Sequence, residues 1–279
     1  MIVVAGGSGR LGTLLVLRLA ARGLAVRVLT REPSRARHLS ELGAEIVAGD
    51  VRDRSSLEMA MRGATTVVSA VQGFAGPGRV SPASVDRDGN ANLVDAAAAV
   101  DADVVLMSVL GASAEHPMEL FRAKHAAEQQ LRASGLCWTI VRAAAFVELW
   151  AEIMTKPIVF GRGENPINFV SVSDVAAVLE RAVIDPSLRQ NVIEVGGPRN
   201  LTFNELAALL QRVHGRDATV RHVPLWLLRA IAPVARQARA AIAMDTTDMT
   251  FDAEVRPTVV ELPMTDVQRA LTQSASRPT

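Results

Sequence analysis

Short apolar runs alternate with amphipathic segments along most of the chain. The runs are apolar at consecutive positions, which is typical of parallel strands covered by helices on both faces. They predict strands at Ile2–Ala5, Ala25–Leu29, Glu45–Ala48, Thr65–Ala70, Val104–Ser108, Trp138–Arg142 and Val192–Val195. Apolar residues at three- to four-residue spacing predict the intervening helices, one opening at Leu11 and others at 34–42, 55–61, 85–100, 120–134 and 172–183. This alternation predicts an α/β fold with a doubly wound parallel sheet.

The pattern changes after Arg142. Glycine and proline punctuate residues 150–168, and from Pro198 onward the pattern is mostly helical. We therefore expect a Rossmann domain over 1–197 and a smaller, mostly helical lobe over 198–279 on the substrate side. Residues 146–168 are expected to contribute to that smaller lobe.

Composition excludes several classes of protein. The 279 residues are 49% hydrophobic, and 30 basic residues nearly balance 29 acidic ones, so no net field attracts a nucleic acid. The one cysteine, Cys137, allows neither an internal disulfide nor a thiolate metal cage, and its apolar surroundings favour a core thiol. The histidines lack metal-ligand spacing, so no metal is expected. No basic leader or long apolar stretch is visible, which favours a cytoplasmic protein without an integral membrane segment.

A glycine-rich turn directly follows the first predicted strand and opens the first helix. Glycines at such a turn permit tight backbone geometry, close approach of a diphosphate and close packing of helix on strand, and the free N–H groups of the helix start attract the anion. The strand–turn–helix context makes this a predicted dinucleotide site. Its residues are Gly6, Gly7, Ser8, Gly9, Arg10, Leu11 and Gly12.

The end of the second strand decides which dinucleotide fits. Arg31 stands where an arginine suits the 2′-phosphate of NADP(H), whereas an acid would bind the ribose hydroxyl of NAD(H). We predict NADP(H) over NAD(H); Glu32, if it turned inward, would reverse that preference. Asp50 and Val51 follow the third strand, where Asp50 either accepts from the adenine amino group or caps a turn. At the end of the fourth strand, the small Ala70 with Val71 lets a ribose pass close to the backbone.

With these pieces the chain resembles the atypical short-chain dehydrogenase/reductases, in particular the NmrA-like group with its isoflavone-reductase and quinone-reductase relatives. The resemblance covers about residues 2–197. Its matching motifs are AGGSGRLG, TREPSR, Gly49-Asp50-Val51, Asp95-Ala-Ala, Ser108, Lys124-x-x-x-Glu128, SGLCWTIVR and Ile167-Asn-Phe-Val-Ser-Val-Ser-Asp-Val-Ala176. It implies that the glycine turn holds diphosphate, Arg31 the 2′-phosphate and Lys124 the nicotinamide ribose, and that Ala143 and Phe146 border the nicotinamide. Their spacing alone, considered without the family, predicts that Lys124 and Glu128 form a solvated ion pair one helical turn apart.

One departure from the family matters. Typical members of the superfamily carry a tyrosine acid four residues before the lysine; here that position is Leu120, and the chain contains no tyrosine. Proton donors left near the expected site are Ser108, His116, His125 and Glu148. Ser108 is the best placed, at the carboxyl end of a central strand, unless its hydroxyl is bonded to neighbouring backbone.

Two functions remain open. The first is an NADPH-dependent reductase that transfers hydride to a small apolar carbonyl, enone or quinone, with Lys124 and Ser108 as catalytic candidates. The second is a non-catalytic NADP(H)-binding redox sensor or assembly factor of the NmrA-like type. The expected partner is a small-molecule substrate, and a homodimer or a protein partner stays open.

The segment from Pro224 to Met244 is apolar, with arginines at 229, 236 and 239. It is interpreted as a lid or core helix of the second lobe; a membrane-surface or partner helix is the alternative.

Overall fold

A computed structural model describes residues 1–74, 80–216, 219–254, 260 and 262–275. Its strands are β1 (Ile2–Ala5), β2 (Val26–Thr30), β3 (Glu45–Ala48), β4 (Thr66–Ser69), β5 (Asp103–Val109), β6 (Trp138–Ala143), β7 (Ala145–Phe146), β8 (Ile158–Phe160), β9 (Ile167–Val170), β10 (Asn191–Val195), β11 (Asn200–Leu201) and β12 (Arg221–Val223). The seven strands predicted from apolar runs are all present, with ends that agree to within one residue.

Helices occupy most of the chain between the strands. They are α1 (Arg10–Ala21), α2 (Arg37–Ser40), α3 (Leu57–Met61), α4 (Asp88–Ala98), α5 (Glu119–Ala133), α6 (Val147–Ile153), α7 (Val172–Ile184), α8 (Phe203–Val213), α9 (Leu225–Ile231), α10 (Arg236–Thr246) and α11 (Val267–Ala275). The predicted helix over 85–100 is divided, because a wide turn at Pro82–Arg87 precedes α4.

The central sheet has seven strands in the order β10-β6-β5-β4-β1-β2-β3. β1 pairs in parallel with β2 on one side and with β4 on the other. The strand order reverses at β1, and ligands of doubly wound sheets bind at the carboxyl edge beside such a reversal. The glycine turn after β1 lies at that edge, which confirms the predicted Rossmann-type α/β fold.

The chain divides into two units. The first contains Met1–Arg142 and Val175–Glu194, and the second contains Ala143–Asp174 and Val195–Thr279. In the first unit, β1 and β4 are buried along their whole length, as expected of central strands covered on both faces. The predicted domain boundary at residues 197–198 stays a prediction.

The second unit contains short strands that the sequence pattern did not reveal. β9 is buried at all four residues and pairs with β11 and β7, while β12 pairs with β8. Strands of two to four residues are too short to show a period, and glycines and prolines surround β8 and β9.

The interpretation of Cys137 as a core thiol is wrong. Its side chain is exposed, because Cys137 immediately precedes β6 and joins the sheet through its backbone. The Cys137 carbonyl oxygen accepts a hydrogen bond from the Val104 N–H. In the part of the chain that the structure describes, no helix is both long and apolar enough to cross a bilayer.

Candidate nucleotide-binding site

The glycine turn is shaped by contacts that a side chain would destroy. Gly6 has a positive φ of 80°, and a Cβ there would lie 2.8 Å from the Ala70 carbonyl oxygen. A Cβ on Gly12 would overlap the Gly6 carbonyl oxygen and the Gly7 Cα. Glycine at both positions lets α1 and the end of β4 pack directly against the turn.

The amino terminus of α1 is open to an anion. Gly9 is its N-cap residue and supplies no side-chain hydrogen bond to the first turn, which also lacks an acidic residue. The first N–H groups of a helix have no partner within the helix and carry partial positive charge. The backbone here therefore fits a diphosphate group, as the motif predicts.

The carboxyl end of β2 places Arg31 next to this turn. The Ser8 and Thr30 hydroxyls are 2.7 Å apart, and this contact joins the turn to the end of β2. Both Arg31 and Glu32 are exposed, and the Glu32 backbone N–H donates to Thr30 Oγ1 at 3.2 Å. Arg31 is thus an exposed cation at the edge where an adenosine ribose is expected, and its charge contributes to the lowered pKa of Asp50.

Asp50 makes a turn contact, which is one of the two roles predicted for it from the sequence. Its carboxylate accepts from the Arg52 backbone N–H at 2.9 Å and from the Arg52 guanidinium at 2.6 Å. The hydrogen bond from the Arg52 side chain lowers the pKa of Asp50, although partial burial acts in the opposite direction. Its predicted contact with adenine stays a prediction, as does the role of the buried Val51.

Lys124 is buried and fixed at the same edge of the sheet. Its Nζ donates to the Val71 carbonyl oxygen at 3.0 Å and lies 3.1 Å from Asp86 Oδ1. Val71 follows Ala70, whose carbonyl oxygen contacts Gly6. Lys124 therefore contacts Val71, and the preceding residue, Ala70, packs against Gly6 of the glycine turn.

Asp86 is a site residue that the sequence analysis missed. Its side chain is fully buried, and Oδ2 accepts from the Gly73 N–H at 2.7 Å. Burial raises the pKa of this carboxyl, while the Lys124 ammonium opposes the shift. One sequence signal was available: Asp86 and Asn90 have the i, i+4 spacing of one helix face. In the structure the Asn90 side chain donates to the Asp86 backbone carbonyl oxygen.

Comparison with known proteins agrees with this geometry. The NAD(P)H-binding family matches residues 6–186, which include the glycine turn and Lys124. The chain belongs to this NAD(P)H-binding family. The predicted resemblance to the NmrA-like, atypical short-chain dehydrogenase/reductases is likewise confirmed.

Relatives of this NAD(P)H-binding protein include both reductases and assembly factors. It is 30% identical over 237 residues to the NAD(P)H azoreductase of Xenophilus azovorans, covering 82% of this chain and 79% of that protein. It is 29% identical to the photosystem II assembly factor Ycf39 of a Synechocystis strain, covering 82% of this chain and 72% of that one.

Solved structures share the fold over nearly the whole chain. An NADPH-dependent quinone oxidoreductase from Escherichia coli, complexed with NADPH, superposes with a TM-score of 0.79 at 20% identity, covering 98% of this chain and 99% of that one. The Citrobacter sp. triphenylmethane reductase complexed with NADP(H) gives 0.76 at 20% identity, with the same coverage.

Lys124 and Glu128 do not form the solvated pair that their spacing alone suggested. Both are buried, and Glu128 is bound instead by Arg142, whose guanidinium donates to its two oxygens at 2.9 and 2.6 Å. The Ser108 hydroxyl donates to the same carboxylate at 2.5 Å. Ser108 therefore bonds a side chain rather than backbone, and its catalytic role stays a prediction.

The other candidate proton donors differ in their surroundings. Both oxygens of the buried Glu148 accept hydrogen bonds, from Ser171 Oγ and from the Val172 N–H at the start of α7. His116 is buried and stacked on Phe121 with ring centroids 3.8 Å apart. His125 is half-buried on α5, directly after Lys124.

Ala143 is the last residue of β6, and Phe146 is the last residue of β7. Ala143 is buried and Phe146 is half-buried, and both belong to the second unit. Their expected contact with the nicotinamide stays a prediction.

Proposed function

We propose that this protein is an NADPH-dependent reductase that transfers hydride to a small apolar carbonyl, enone or quinone without a tyrosine acid. The observation that carries the proposal is the position of Lys124. A buried ammonium group tied to Val71, at the same sheet edge as an anion-binding turn, is suited to the ribose between the diphosphate and the nicotinamide.

Each part of the site has a role in this proposal. The open N–H groups of α1 bind the diphosphate, the Arg31 guanidinium pairs with the 2′-phosphate, and Lys124 donates to the nicotinamide ribose hydroxyls. Bound reduced nicotinamide supplies the hydride. Asp86 orients Lys124 and offsets its charge, so it acts as a positioning residue.

His116 is our candidate for the hydrogen bond that a tyrosine would otherwise provide. Its Nδ1 accepts from the Met118 N–H at 3.1 Å, which places the proton of the neutral ring on Nε2. Burial, and after it the Arg122 guanidinium, lowers the pKa of His116, so the ring is mainly neutral at pH 7. A fixed neutral N–H can stabilise the oxygen on which charge develops during hydride transfer.

The named substrates of relatives agree with an electrophile that delocalises negative charge. The azoreductase, the quinone oxidoreductase and the triphenylmethane reductase are named for conjugated compounds. Conjugated acceptors need less help from a strong acid than isolated ketones do, which suits a site without tyrosine.

Nucleotide affinities test the preference for NADPH. Arg31→Ala is expected to weaken NADPH binding about tenfold or more while changing NADH binding less than about threefold, because the lost charge pairs only with the 2′-phosphate. Arg62→Ala is the matched control, since it removes an exposed arginine before β4, at the opposite edge of the sheet. Calorimetric dissociation constants for NADPH that rise equally in both variants, or in neither, would contradict the assignment.

Turnover tests the reductase activity. NADPH oxidation should be observed with at least one member of a panel of quinones, azo dyes and conjugated enones. Arg31→Ala should raise the KM for NADPH with little change in kcat, because the 2′-phosphate contact is the same in the ground state and the transition state. Tight NADPH binding with no oxidation across the panel would overturn the proposal.

A second function is favoured by the missing tyrosine and by the Ycf39 relatives. In it, the protein binds NADP(H) without turnover and acts as a redox sensor or assembly factor. Its distinguishing result is a protein partner whose affinity differs between the NADPH-bound and NADP⁺-bound forms, measured with the same purified components.

A further inference from the structure

The second unit carries an exposed apolar surface formed by α9 and the turn that follows it. Four apolar residues within a stretch of nine are exposed: Trp226 by 69%, Leu227 by 39%, Ile231 by 43% and Val234 by 90%. We call these four residues the α9 surface.

Leu227 and Ile231 have the i, i+4 spacing of one helix face, and Trp226 directly precedes Leu227. Val234 lies in the turn that follows the end of α9 at Ile231. Leu228 is 2% exposed and anchors the helix. The four side chains of the α9 surface thus stay exposed while a neighbouring leucine is buried.

The turn after α9 is also held in place. Arg239 of α10 donates from Nη1 to the Ala232 carbonyl oxygen at 2.8 Å and to the Pro233 carbonyl oxygen at 3.3 Å. Val234, the most exposed apolar side chain of the set, follows directly. The α9 surface therefore exists before any partner binds.

The charged residues of the segment that carries α9 have one sign. Residues 219–244 contain four arginines and neither aspartate nor glutamate, although the whole chain has a formal net charge of only +1. Arg221 and Arg229 are exposed, and Arg229 stands one helical turn after Trp226. An apolar face with a tryptophan and flanking arginines has the chemistry of a helix that lies in the interface of an anionic bilayer.

We propose that the α9 surface docks this protein on the surface of an anionic lipid bilayer. Trp226, Leu227, Ile231 and Val234 would enter the boundary between headgroups and acyl chains, and the arginines would pair with lipid phosphates. The proposal concerns peripheral binding and does not depend on the reductase activity.

Two other occupants fit the surface less well. In a symmetric contact between two copies, the same patch meets itself, so arginines would face arginines with no acidic residue from 219–244 between them. A stable protein interface uses about 20–30 residues a side, and this surface is a single short helix and a turn.

Vesicle flotation tests the proposal. Full-length protein is mixed with phosphatidylcholine vesicles or with vesicles that also contain phosphatidylglycerol. We expect flotation with the anionic vesicles, at least tenfold weaker binding to the neutral ones, and a decrease with added salt. The fluorescence of Trp226 should shift to shorter wavelength only with the anionic vesicles.

Variants separate this surface from nonspecific adsorption. The double variant W226Q/V234Q should lose at least tenfold in binding, and R229Q should lose less. M59Q is the control, because Met59 is 61% exposed on α3 in the first unit, and it should float like the wild type. Circular dichroism and NADPH affinity confirm that each variant is folded.

Three results would overturn the proposal. They are the absence of binding to anionic vesicles, equal binding by W226Q/V234Q and wild type, and a wild-type dimer that W226Q/V234Q converts to a monomer in sedimentation. The last result would identify the α9 surface as a contact between copies.

Discussion

At the scale of single residues, Lys124 and Asp86 form a buried pair of ionisable groups. Two charged groups that leave water are tolerated only while they neutralise each other and keep their hydrogen bonds. Here Val71 accepts from the lysine, and the Gly73 N–H donates to the carboxylate. Removing either member leaves the other as an uncompensated buried group.

The first prediction follows from the raised pKa of Asp86. A carboxyl whose pKa is higher in the folded state binds its proton more tightly there, so stability falls as pH rises from the unfolded pKa through the folded one. Lys124→Met removes the ammonium that opposes the shift, which extends this loss to higher pH. We expect the free energy of unfolding of the variant to be lower than that of wild type by about 3 kcal/mol or more at pH 8, and by a smaller amount at pH 5.

Urea unfolding at the two pH values measures this effect. The double variant Lys124→Met with Asp86→Asn is the control, because its amide does not titrate, so position 86 should contribute no pH dependence to its free energy of unfolding. A deficit of the single variant that is independent of pH would show that Asp86 does not respond to Lys124.

His116 gives a second prediction at this scale. Nitrogen NMR should show a neutral ring protonated on Nε2 at pH 7, with titration below the ordinary histidine range, because burial and Arg122 disfavour the cation. A His116 signal that titrates within the ordinary histidine range would contradict the buried, fixed ring.

At the scale of elements, a buried carboxylate joins α5 to the central sheet. Glu128 of α5 accepts from Arg142 of β6 and from Ser108 of β5. The hydrogen bond with Glu128 raises the pKa of Arg142, against the effect of its own partial burial. This contact fixes the helix that carries Lys124 relative to two neighbouring strands.

The third prediction concerns this junction. Arg142→Met should cost about 3–5 kcal/mol, because Glu128 would remain buried without its charged partner. Ser108→Ala removes one hydrogen bond to a charged group and should cost about 1.5–3 kcal/mol. Denaturant unfolding gives both values. If Ser108→Ala instead lowers kcat with unchanged stability, Ser108 has the catalytic role predicted from sequence.

At the scale of the whole molecule, nucleotide binding and folding are linked. A ligand that binds only the native state stabilises it by about 2.7 kcal/mol at a concentration one hundred times its Kd. For a chain of this size that free energy corresponds to a rise in Tm of roughly 5–10 °C.

The fourth prediction uses this linkage. NADPH should raise the Tm of the wild type by this amount, and Gly12→Ala should lose most of the shift, since its Cβ would displace α1 from the turn. Ala20→Gly is the matched control: it weakens α1 by about 1 kcal/mol away from the turn and should keep the shift. Equal shifts in Gly12→Ala and wild type would place the nucleotide elsewhere.

Much of this molecule could be predicted without coordinates, because the signals are local. The strands of the central sheet are continuous apolar runs, and the glycine turn stands between β1 and α1 in consecutive residues. The partner of Lys124 could not be found this way. Asp86 lies 38 positions earlier in the chain, whereas Glu128 stands at the helical spacing that suggests an ion pair.

By itself the sequence determined the α/β class, the order of elements in the central sheet's half of the chain, the glycine turn between β1 and α1 and the absence of a tyrosine acid. The tertiary structure decided which charges meet: Lys124 with Asp86, and Glu128 with Arg142 and Ser108. It also decided that Cys137 is exposed and His116 buried. The physical reason is that strand and turn propensities act between near neighbours, whereas burial and charge pairing depend on residues that only the folded chain brings together.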